Sequence, residues 1–287
     1  MKNLSVYTCL IKYKLSLAVA FSSVTGYLIS GELISISLLY LAAGVFFLAA
    51  GAAAMNQYSE RRTDLLMDRT KDRPIPSGEI SEKQALLFAV ILFIAGIVLL
   101  FKNGILPVSL GLLNVVLYNL VYTRLKKTTI LSIIPGGFVG AIPPMIGYSS
   151  AGSNLVSPDI IAFSIFMFLW QVPHFWLIIA RYGEEYRKAG LATISSYLNN
   201  IQIRILVFCW VLVSNTMLII FFLIADLLII QFIVPFILFN IGFIFLFSHN
   251  LFGINKQQEV RGAMILINSY GLFIMLLFIA ISVKHML

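Results

Sequence analysis

Residues 85–127 read ALLFAVILFIAGIVLLF-KNG-ILPVSLGLLNVVLYNLV-YTRLKK, with two apolar runs of 17 residues joined by three residues. A membrane-spanning helix needs about 20 mostly apolar residues, whereas a spanning β-strand alternates apolar and polar side chains. These runs are continuous, so they favour helices that cross a membrane. Similar runs recur along the chain, and together they lie at 15–31, 34–55, 85–101, 105–121, 130–149, 159–180, 205–225, 228–248 and 263–283. The sequence therefore predicts an all-α polytopic membrane protein with nine transmembrane helices, in which residues 1–287 form one integral-membrane domain.

The overall composition agrees with this class. Of the 287 residues, 60% are hydrophobic and 11% are charged, and the mean hydropathy is +0.96. A soluble domain carries about 25% charged residues. These values exclude a soluble globular protein and a disordered chain, and two cysteines are too few for a disulfide scaffold.

The positions of the basic residues predict the orientation. The net charge is +8, and 18 of the 20 Lys and Arg residues fall in alternate loops, at 1–14, 56–84, 122–129, 181–204 and 249–262. Loops rich in Lys and Arg remain in the cytoplasm, so we expect the N-terminus and these loops there. We interpret the positive charge as a signal of orientation and expect no nucleic-acid partner. Because the long, charged loops lie on this side, we expect the active site at the cytoplasmic side.

The segment 56–74, NQYSERRTDLLMDRTKDRP, carries the strongest functional signal. Four oxygen-bearing side chains recur at every fourth position: Asn56, Glu60, Asp64 and Asp68. On a helix they share one face, and the first three span about 12 Å. Such ligands suit Mg²⁺, which binds one or two carboxylates and completes its shell with phosphate oxygens and water. The segment also holds basic residues that suit phosphate: Arg61, Arg62, Arg69, Lys71 and Arg73. It indicates a diphosphate site, with a solvated juxtamembrane helix as the alternative.

A second segment, 122–148, combines polar residues with an irregular span. It begins with Tyr122, Lys126 and Lys127 and continues into small residues and the pair Pro143-Pro144. The small residues predict close helix packing, and the prolines predict a break or kink in the span.

A third segment, 168–190, reads FLWQVPHFWLIIARYGEEYRKAG. A histidine inside a span is costly and is a functional candidate by default, so His174 is one. Glu184 and Glu185 stand beside basic residues, and this cluster is either a second metal site or a solvated loop.

Together the three segments resemble, in the same order, the motifs of the intramembrane aromatic prenyltransferases of the UbiA superfamily. In detail they are similar to its protohaem IX farnesyltransferase (haem O synthase) branch. The first match runs from Asn56 to Pro74, with Glu60 where the family usually has Asp. The last match is Trp-Gln-x-Pro-His-Phe-Trp, followed by Glu184-Glu185 in place of Asp-Asp. Lys12-Tyr13-Lys14 stands where the family has Lys-Pro-Arg.

The resemblance implies a UbiA-like helix bundle and a reaction. A farnesyl group would pass from farnesyl diphosphate to the vinyl group of protohaem IX (haem b) with addition of water, which gives haem O and diphosphate. Mg²⁺ would be the cofactor, and haem b a substrate. The resemblance also implies a multi-pass protein of the cell (plasma) membrane that works in the lipid bilayer. Its further partners would be the next haem-modifying enzyme or a terminal oxidase assembly.

The resemblance also assigns roles to residues. The expected catalytic residues are His174, Asp64 and Glu60. The expected metal ligands are Asn56, Glu60, Asp64, Glu184 and Glu185. The expected substrate-binding residues are Asn56, Arg69, Arg73, Tyr122, Lys126, Lys127, Trp170, Gln171, Phe175, Trp176, Arg181 and Lys14.

Three alternatives remain open at this stage. One is a UbiA-type prenyltransferase with a quinone precursor or another aromatic acceptor. The second is a secondary transporter, although transporter sites lie near the midplane of the membrane and these acids lie at its edge. The third is a membrane haem protein with His174 as an axial ligand.

Overall fold

The structure is a computed structural model that describes residues 2–224, 230–253 and 256–286. Within these ranges the chain forms helices joined by loops and turns, and the all-α prediction is confirmed. The α-helices are α1 (Lys2–Leu10), α2 (Tyr13–Ile29), α3 (Ile36–Asp64), α4 (Glu82–Phe101), α5 (Ile105–Val116), α6 (Thr123–Thr128), α7 (Ile133–Ser150), α8 (Pro158–Lys188), α9 (Asn200–Ile224), α10 (Ile230–Phe252) and α11 (Lys256–Met286). The short elements are a π-helical turn at Leu117–Tyr122 and 3₁₀ turns at Ile130–Ser132 and Ile194–Ser196.

The lengths and composition of these helices fit a membrane bundle. Eight helical segments in the described ranges are long and apolar enough to cross a membrane: Ile36–Asp64, Glu82–Phe101, Ile105–Thr128, Ile130–Ser150, Pro158–Lys188, Asn200–Ile220, Val234–Phe252 and Val260–Ile281. A ninth candidate is the pair Leu4–Leu10 and Tyr13–Ile29, which is bent by 53°. Each of the nine predicted spans overlaps one of these segments. The predicted boundaries at residues 225 and 228 lie outside the described residues.

Helix α3 continues nine residues past the predicted end of its span at residue 55, and it ends at Asp64. At that end the Thr70 hydroxyl donates to the Asp64 carbonyl at 2.9 Å, so a side chain satisfies one backbone acceptor that the helix leaves free. Asp68 lies beyond the end of the helix, and its exposed carboxylate pairs with Lys71 at 2.7 Å. This bond holds the pKa of the Asp68 carboxyl below its usual value. Asp68 therefore does not continue the row of oxygen ligands that the spacing predicts.

Helix α7 lies at the centre of the bundle and packs against α2, α5 and α8. It runs unbroken through Pro143 and Pro144, so of the predicted break or kink the break does not occur. The small residues of α7 allow the close packing that the sequence predicts. A methyl group added at Gly136 would lie 2.8 Å from the Phe175 ring, and one added at Gly137 would lie 2.7 Å from the Phe168 ring.

The contact between α2 and α7 is the tightest feature of this packing. A β-carbon added to Gly147 would lie 1.8 Å from the Ser23 carbonyl oxygen, and one added to Gly26 would lie 2.0 Å from the Pro144 carbonyl oxygen. Both partners are backbone atoms, so no side-chain rotation can relieve such a clash.

We expect Gly147→Ala to lower the stability of the purified protein by about 1–3 kcal/mol or more, because α2 and α7 must separate to admit the methyl group. Thermal unfolding in detergent measures the effect. Gly242→Ala in α10 is the matched control, since an added β-carbon there meets no atom within 4 Å. Equal unfolding temperatures for the two variants would contradict the backbone contact between α2 and α7.

Candidate active site

A cavity of about 920 Å³ lies among α2, α3, α5, α7, α8 and α11. It reaches the side of the bundle that carries the loop 65–81 and the C-terminal end of α8, which we term the charged side. Most of the predicted site residues line it: Lys14, Asn56, Glu60, Asp64, Arg69, Arg73, Tyr122, Lys126, Lys127, Trp170, Gln171, His174 and Phe175. Residues from three distant segments therefore meet in one place.

Helix α3 contributes the oxygen ligands. Asn56, Glu60 and Asp64 are 2%, 4% and 0% exposed, and all three line the cavity one helical turn apart. We term these three side chains the α3 wall. Their common face follows from their spacing of four residues on a continuous helix.

Each member of the α3 wall contacts a cation from another segment. The Lys12 Nζ atom donates to Asn56 Oδ1 at 2.9 Å, and Lys126 forms an ion pair with Glu60. The Arg73 Nη1 atom donates to both Asp64 carboxylate oxygens, at 2.9 and 2.8 Å. Buried carboxylates are costly unless they are paired, so these contacts explain how the acids are tolerated beside the apolar bundle.

Lys12 was not among the predicted site residues. It lies in the bend between α1 and α2 with a φ of +46°, a left-handed conformation that is uncommon for residues other than glycine. Its position against Asn56 depends on a contact across 44 residues, and the sequence signal for it is its place in Lys12-Tyr13-Lys14, where the family has Lys-Pro-Arg.

The π-helical turn Leu117–Tyr122 was also not predicted. It places Tyr118 and Tyr122 on the cavity, with their rings stacked at 5.8 Å and an interplanar angle of 11°. Thr123 follows the turn, and its hydroxyl donates to the Tyr118 carbonyl at 2.8 Å and accepts from Asn56 Nδ2 at 3.2 Å. Single π-helical turns occur frequently at functional sites because they redirect side chains out of the α-helical register.

We expect Thr123→Val to weaken substrate turnover about fivefold, because the Asn56 amide loses an acceptor worth about 1 kcal/mol. Steady-state kinetics measure the effect. Thr128→Val is the control, since the Thr128 hydroxyl is exposed and contacts only the carbonyl of its own helix. A Thr123→Val enzyme with unaltered kinetics would show that this hydroxyl does not hold Asn56 in place for the reaction.

The second acidic cluster lies outside the cavity. The Glu185 carboxylate accepts from the backbone N–H of Arg69 at 3.2 Å, which ties the loop 65–81 to α8. Glu184 is exposed and pairs with Arg187 at 2.6 Å. Within the described ranges, no three His, Cys, Asp or Glu side chains are grouped closely enough to hold a metal ion. The structure therefore does not bring the five predicted metal ligands together: Asn56, Glu60 and Asp64 line the cavity, and Glu184 and Glu185 do not.

The donor set of the α3 wall nevertheless fits Mg²⁺. Glu60 and Asp64 supply two carboxylates on one face, and Asn56 adds an amide oxygen. Mg²⁺ in proteins is usually bound through one or two carboxylates together with phosphate oxygens and water. This set is therefore adequate when a diphosphate provides the remaining oxygens.

Helix α8 lines the opposite part of the cavity with Trp170, Gln171, His174 and Phe175. The Trp170 and His174 rings are 6.1 Å apart and nearly parallel, and Trp170 Nε1 donates to the Ile267 carbonyl at 2.9 Å. Among the described residues, the buried His174 Nδ1 atom has no hydrogen-bond partner. We term the region around these four residues the acceptor arm.

Two predicted substrate-binding residues do not line the cavity. Trp176 is buried on another face of α8, where its ring packs edge-on against Trp210 at 6.2 Å. Arg181 stacks on Tyr182 at 5.0 Å. Trp176 lies two residues from His174, and this spacing turns the two side chains to different faces of a helix.

Further polar or aromatic residues line the cavity without having been predicted: Lys12, Ser16, Ser22, Thr63, Asn114, Tyr118, Tyr186 and Asn268. Tyr186 accepts a hydrogen bond from Arg69 Nη2 at 3.1 Å, so it helps to place a predicted residue. Tyr118 precedes Tyr122 by four residues, and this helical spacing is a sequence signal that the two rings share one face.

Comparison with known proteins identifies curated relatives of this chain. Over 182 residues the chain is 38% identical to protoheme IX farnesyltransferase of Geobacter sulfurreducens, which covers 63% of this chain and 67% of the relative. Over 188 residues it is 38% identical to the enzyme of that name from Cytophaga hutchinsonii, covering 64% and 65% of the two chains. The chain thus matches about two thirds of the length of these curated relatives.

The fold has solved counterparts. A digeranylgeranylglyceryl phosphate synthase structure superposes with a TM-score of 0.77 at 20% identity and covers 99% of this chain and 100% of that one. A UbiA homolog from Archaeoglobus fulgidus bound to GPP and Mg²⁺ superposes with a TM-score of 0.75 at 17% identity, covering 98% and 99%. The sequence model of the UbiA prenyltransferase family matches residues 18–281. The chain belongs to the UbiA prenyltransferase family.

Proposed function

We propose that the protein transfers a farnesyl group from farnesyl diphosphate to the vinyl group of haem b, with addition of water, and so forms haem O and diphosphate. The observation that carries this proposal is one cavity whose lining combines the buried carboxylates of α3 with the acceptor arm on α8 that contains His174. The names of the relatives at 38% identity support the choice of both substrates.

The charged end suits a diphosphate. Besides the two carboxylates, five cationic side chains line the cavity there: Lys12, Arg69, Arg73, Lys126 and Lys127. Basic side chains thus outnumber the carboxylates at this end by three, an excess that complements an anionic diphosphate. Arg73 and Lys126 already point at the α3 wall, so a diphosphate that binds beside it meets their donors.

Glu60 and Asp64, with the amide of Asn56, are the residues that would hold Mg²⁺. The bound ion would supply positive charge to the leaving diphosphate, an electrostatic contribution that lowers the barrier to ionisation. The A. fulgidus homolog was solved with Mg²⁺ and a prenyl diphosphate, which supports this choice of ion.

Aromatic rings next to the charged end would stabilise the allylic cation that forms when the carbon–oxygen bond to diphosphate breaks. Tyr122 lies 5.6 Å from Phe175 between ring centroids and stacks on Tyr118. The face of an aromatic ring attracts a cation without trapping it chemically. The vinyl carbon of haem b then forms the new carbon–carbon bond, and water adds to the resulting carbocation.

His174 is the proposed polar residue for the acceptor. Its Nδ1 atom is free within the described part of the chain, and we assign it one of two tasks: contact with the porphyrin or acceptance of the proton that the added water loses. Lys14 also lines the cavity and is the proposed partner of a haem propionate.

We further propose a location and partners. The location is the plasma membrane, and the concentration of Lys and Arg in alternate loops supports an orientation in which the charged side faces the cytoplasm. Haem O would then pass to the next haem-modifying enzyme or to a terminal oxidase assembly.

Mass analysis of haem tests the proposal. Purified protein is incubated with farnesyl diphosphate, Mg²⁺ and either haem b or a phenolic acid, and farnesyl-hydroxyethyl haem is expected only with haem b. If only the phenolic acid is prenylated, the acceptor is a phenolic compound and the proposal of haem b is wrong. Solute flux in vesicles without release of diphosphate would indicate a transporter instead.

A further inference from the structure

The loop 65–81 is fastened to the C-terminal part of α8 by contacts that converge on Arg69. The Glu185 carboxylate accepts from the Arg69 backbone N–H at 3.2 Å, and the Tyr186 hydroxyl accepts from Arg69 Nη2 at 3.1 Å. The Arg69 Cζ atom lies 5.1 Å from the centroid of the Tyr182 ring. Residues three and four positions apart share one face of a helix, so the three α8 side chains meet the loop together. We term Tyr182, Glu185 and Tyr186 the α8 clamp.

Arg69 differs from the other arginine of this loop in how its charge is compensated. Arg69 and Arg73 both line the cavity. Arg73 is paired with Asp64, whereas Arg69 forms no ion pair with an acid in the ranges that the structure describes. A guanidinium group has five N–H donors, and the bond to Tyr186 uses one of them. The Arg69 guanidinium therefore brings an uncompensated charge and further donors to the cavity, where an anionic ligand can accept them.

The contact of Glu185 with the loop requires an acceptor oxygen and no negative charge. Its partner is a backbone N–H, which can donate to a neutral amide oxygen as well as to a carboxylate. Glu185 also lies outside the cavity lining. The neighbouring Glu184 is exposed and pairs with Arg187 at 2.6 Å. The Glu185 carboxylate therefore acts on the loop and not on the contents of the cavity.

We propose that Glu185 is a positioning residue, which fixes the loop 65–81 so that Arg69 contacts the diphosphate of the prenyl substrate. Its hydrogen bond holds the backbone of Arg69, while Tyr182 and Tyr186 hold the guanidinium group. Glu185 then contributes to diphosphate binding through Arg69 and is not a ligand of Mg²⁺. The inference rests on the proposed function for the identity of the diphosphate ligand.

Replacement of Glu185 by alanine and by glutamine separates a positioning role from a metal-binding role. The affinity of the full-length protein for farnesyl thiolodiphosphate is measured with Mg²⁺, and the Mg²⁺ concentration is then varied at saturating probe. Glu185→Ala is expected to weaken binding of the probe about fivefold, the effect of one lost hydrogen bond. Glu185→Gln keeps an acceptor oxygen and is expected to bind the probe as the wild type does. Both variants are expected to keep the wild-type Mg²⁺ dependence.

Two further measurements test whether Glu185 acts through Arg69. In the Arg69→Ala protein, a second change of Glu185 to alanine is expected to have no additional effect on affinity, because both changes remove the same contribution. Amide hydrogen exchange in the loop 65–81 is expected to be faster in Glu185→Ala than in the wild type and in Glu185→Gln. Glu184→Ala is the matched control, since this side chain is exposed and contacts Arg187. It is expected to keep both the affinity and the exchange rates of the wild type.

The possible results distinguish this inference from the proposed function. If Glu185→Gln and Glu185→Ala both require more Mg²⁺ than the wild type, Glu185 is a metal ligand and the inference is wrong. Unchanged exchange in Glu185→Ala, or a full additional loss of affinity in the Arg69→Ala protein, also overturns it. If the loop exchanges faster in Glu185→Ala but the wild type does not bind farnesyl thiolodiphosphate, the proposed function is wrong and the fastening of the loop by Glu185 stands.

Discussion

Replacing Asp64 by asparagine is expected to reduce kcat/KM for farnesyl transfer by about 10²–10³-fold, in line with the loss of one group that stabilises charge in the transition state. The carboxylate is fully buried on the cavity wall and accepts two hydrogen bonds from Arg73. The substitution removes one proposed Mg²⁺ ligand and leaves the Arg73 charge without its partner. Both effects weaken the electrostatic stabilisation of the leaving diphosphate.

The measurement is the rate of diphosphate release as a function of Mg²⁺ concentration. Asp64→Asn is expected to require more Mg²⁺ for half-maximal activity, and Asp64→Glu, which keeps a carboxylate, to recover part of the rate. Asp68→Asn is the control, because this exposed residue contacts Lys71 outside the cavity. If the Asp64→Asn enzyme kept the wild-type rate and Mg²⁺ dependence, the assignment of Asp64 as a metal ligand would be wrong.

Replacing His174 by alanine is expected to lower kcat by about 10²–10⁴-fold if the imidazole accepts the proton of the added water. The side chain is in the acceptor arm, its ring is nearly parallel to Trp170, and its Nδ1 atom has no partner in the described structure. Binding of farnesyl thiolodiphosphate is expected to be unchanged, because His174 is not part of the α3 wall.

Separate readouts distinguish the two tasks proposed for His174. Loss of kcat with an unchanged absorption spectrum of bound haem indicates the base, whereas a spectral shift with weaker haem binding indicates contact with the porphyrin. The control is His249→Ala, an exposed histidine near the end of α10. If His174→Ala retained both wild-type kcat and haem affinity, neither task would hold.

Local periodicity explains what the sequence predicts well. The spans follow from apolar runs that each fill a helix of membrane length, and the α3 wall follows from a fourfold repeat on a helix without interruption. The same repeat wrongly extends the row to Asp68, because the helix ends at Asp64 and Asp68 lies beyond it. The capping contact from Thr70 that marks this end is a tertiary detail that no periodicity predicts.

The remaining features depend on contacts between distant segments. Lys12 reaches Asn56 across 44 residues, and Asn56 in turn donates to Thr123 across 67 residues. Glu185 lies outside the cavity lining, and its carboxylate accepts a hydrogen bond from the backbone N–H of Arg69 in the loop 65–81. Trp176 is a different case. It is predicted as a site residue because it belongs to the motif, although its spacing of two residues from His174 places it on another face of α8.

The central claim is that the α3 wall holds a divalent ion together with the diphosphate of an isoprenoid. An experimental structure with farnesyl thiolodiphosphate and Mn²⁺, located by its anomalous signal, tests it most directly. The claim predicts Mn²⁺ bound to Glu60 and Asp64, with the diphosphate between the ion and Arg73. Mn²⁺ at Glu184 and Glu185 alone, or a diphosphate bound away from α3, would contradict it.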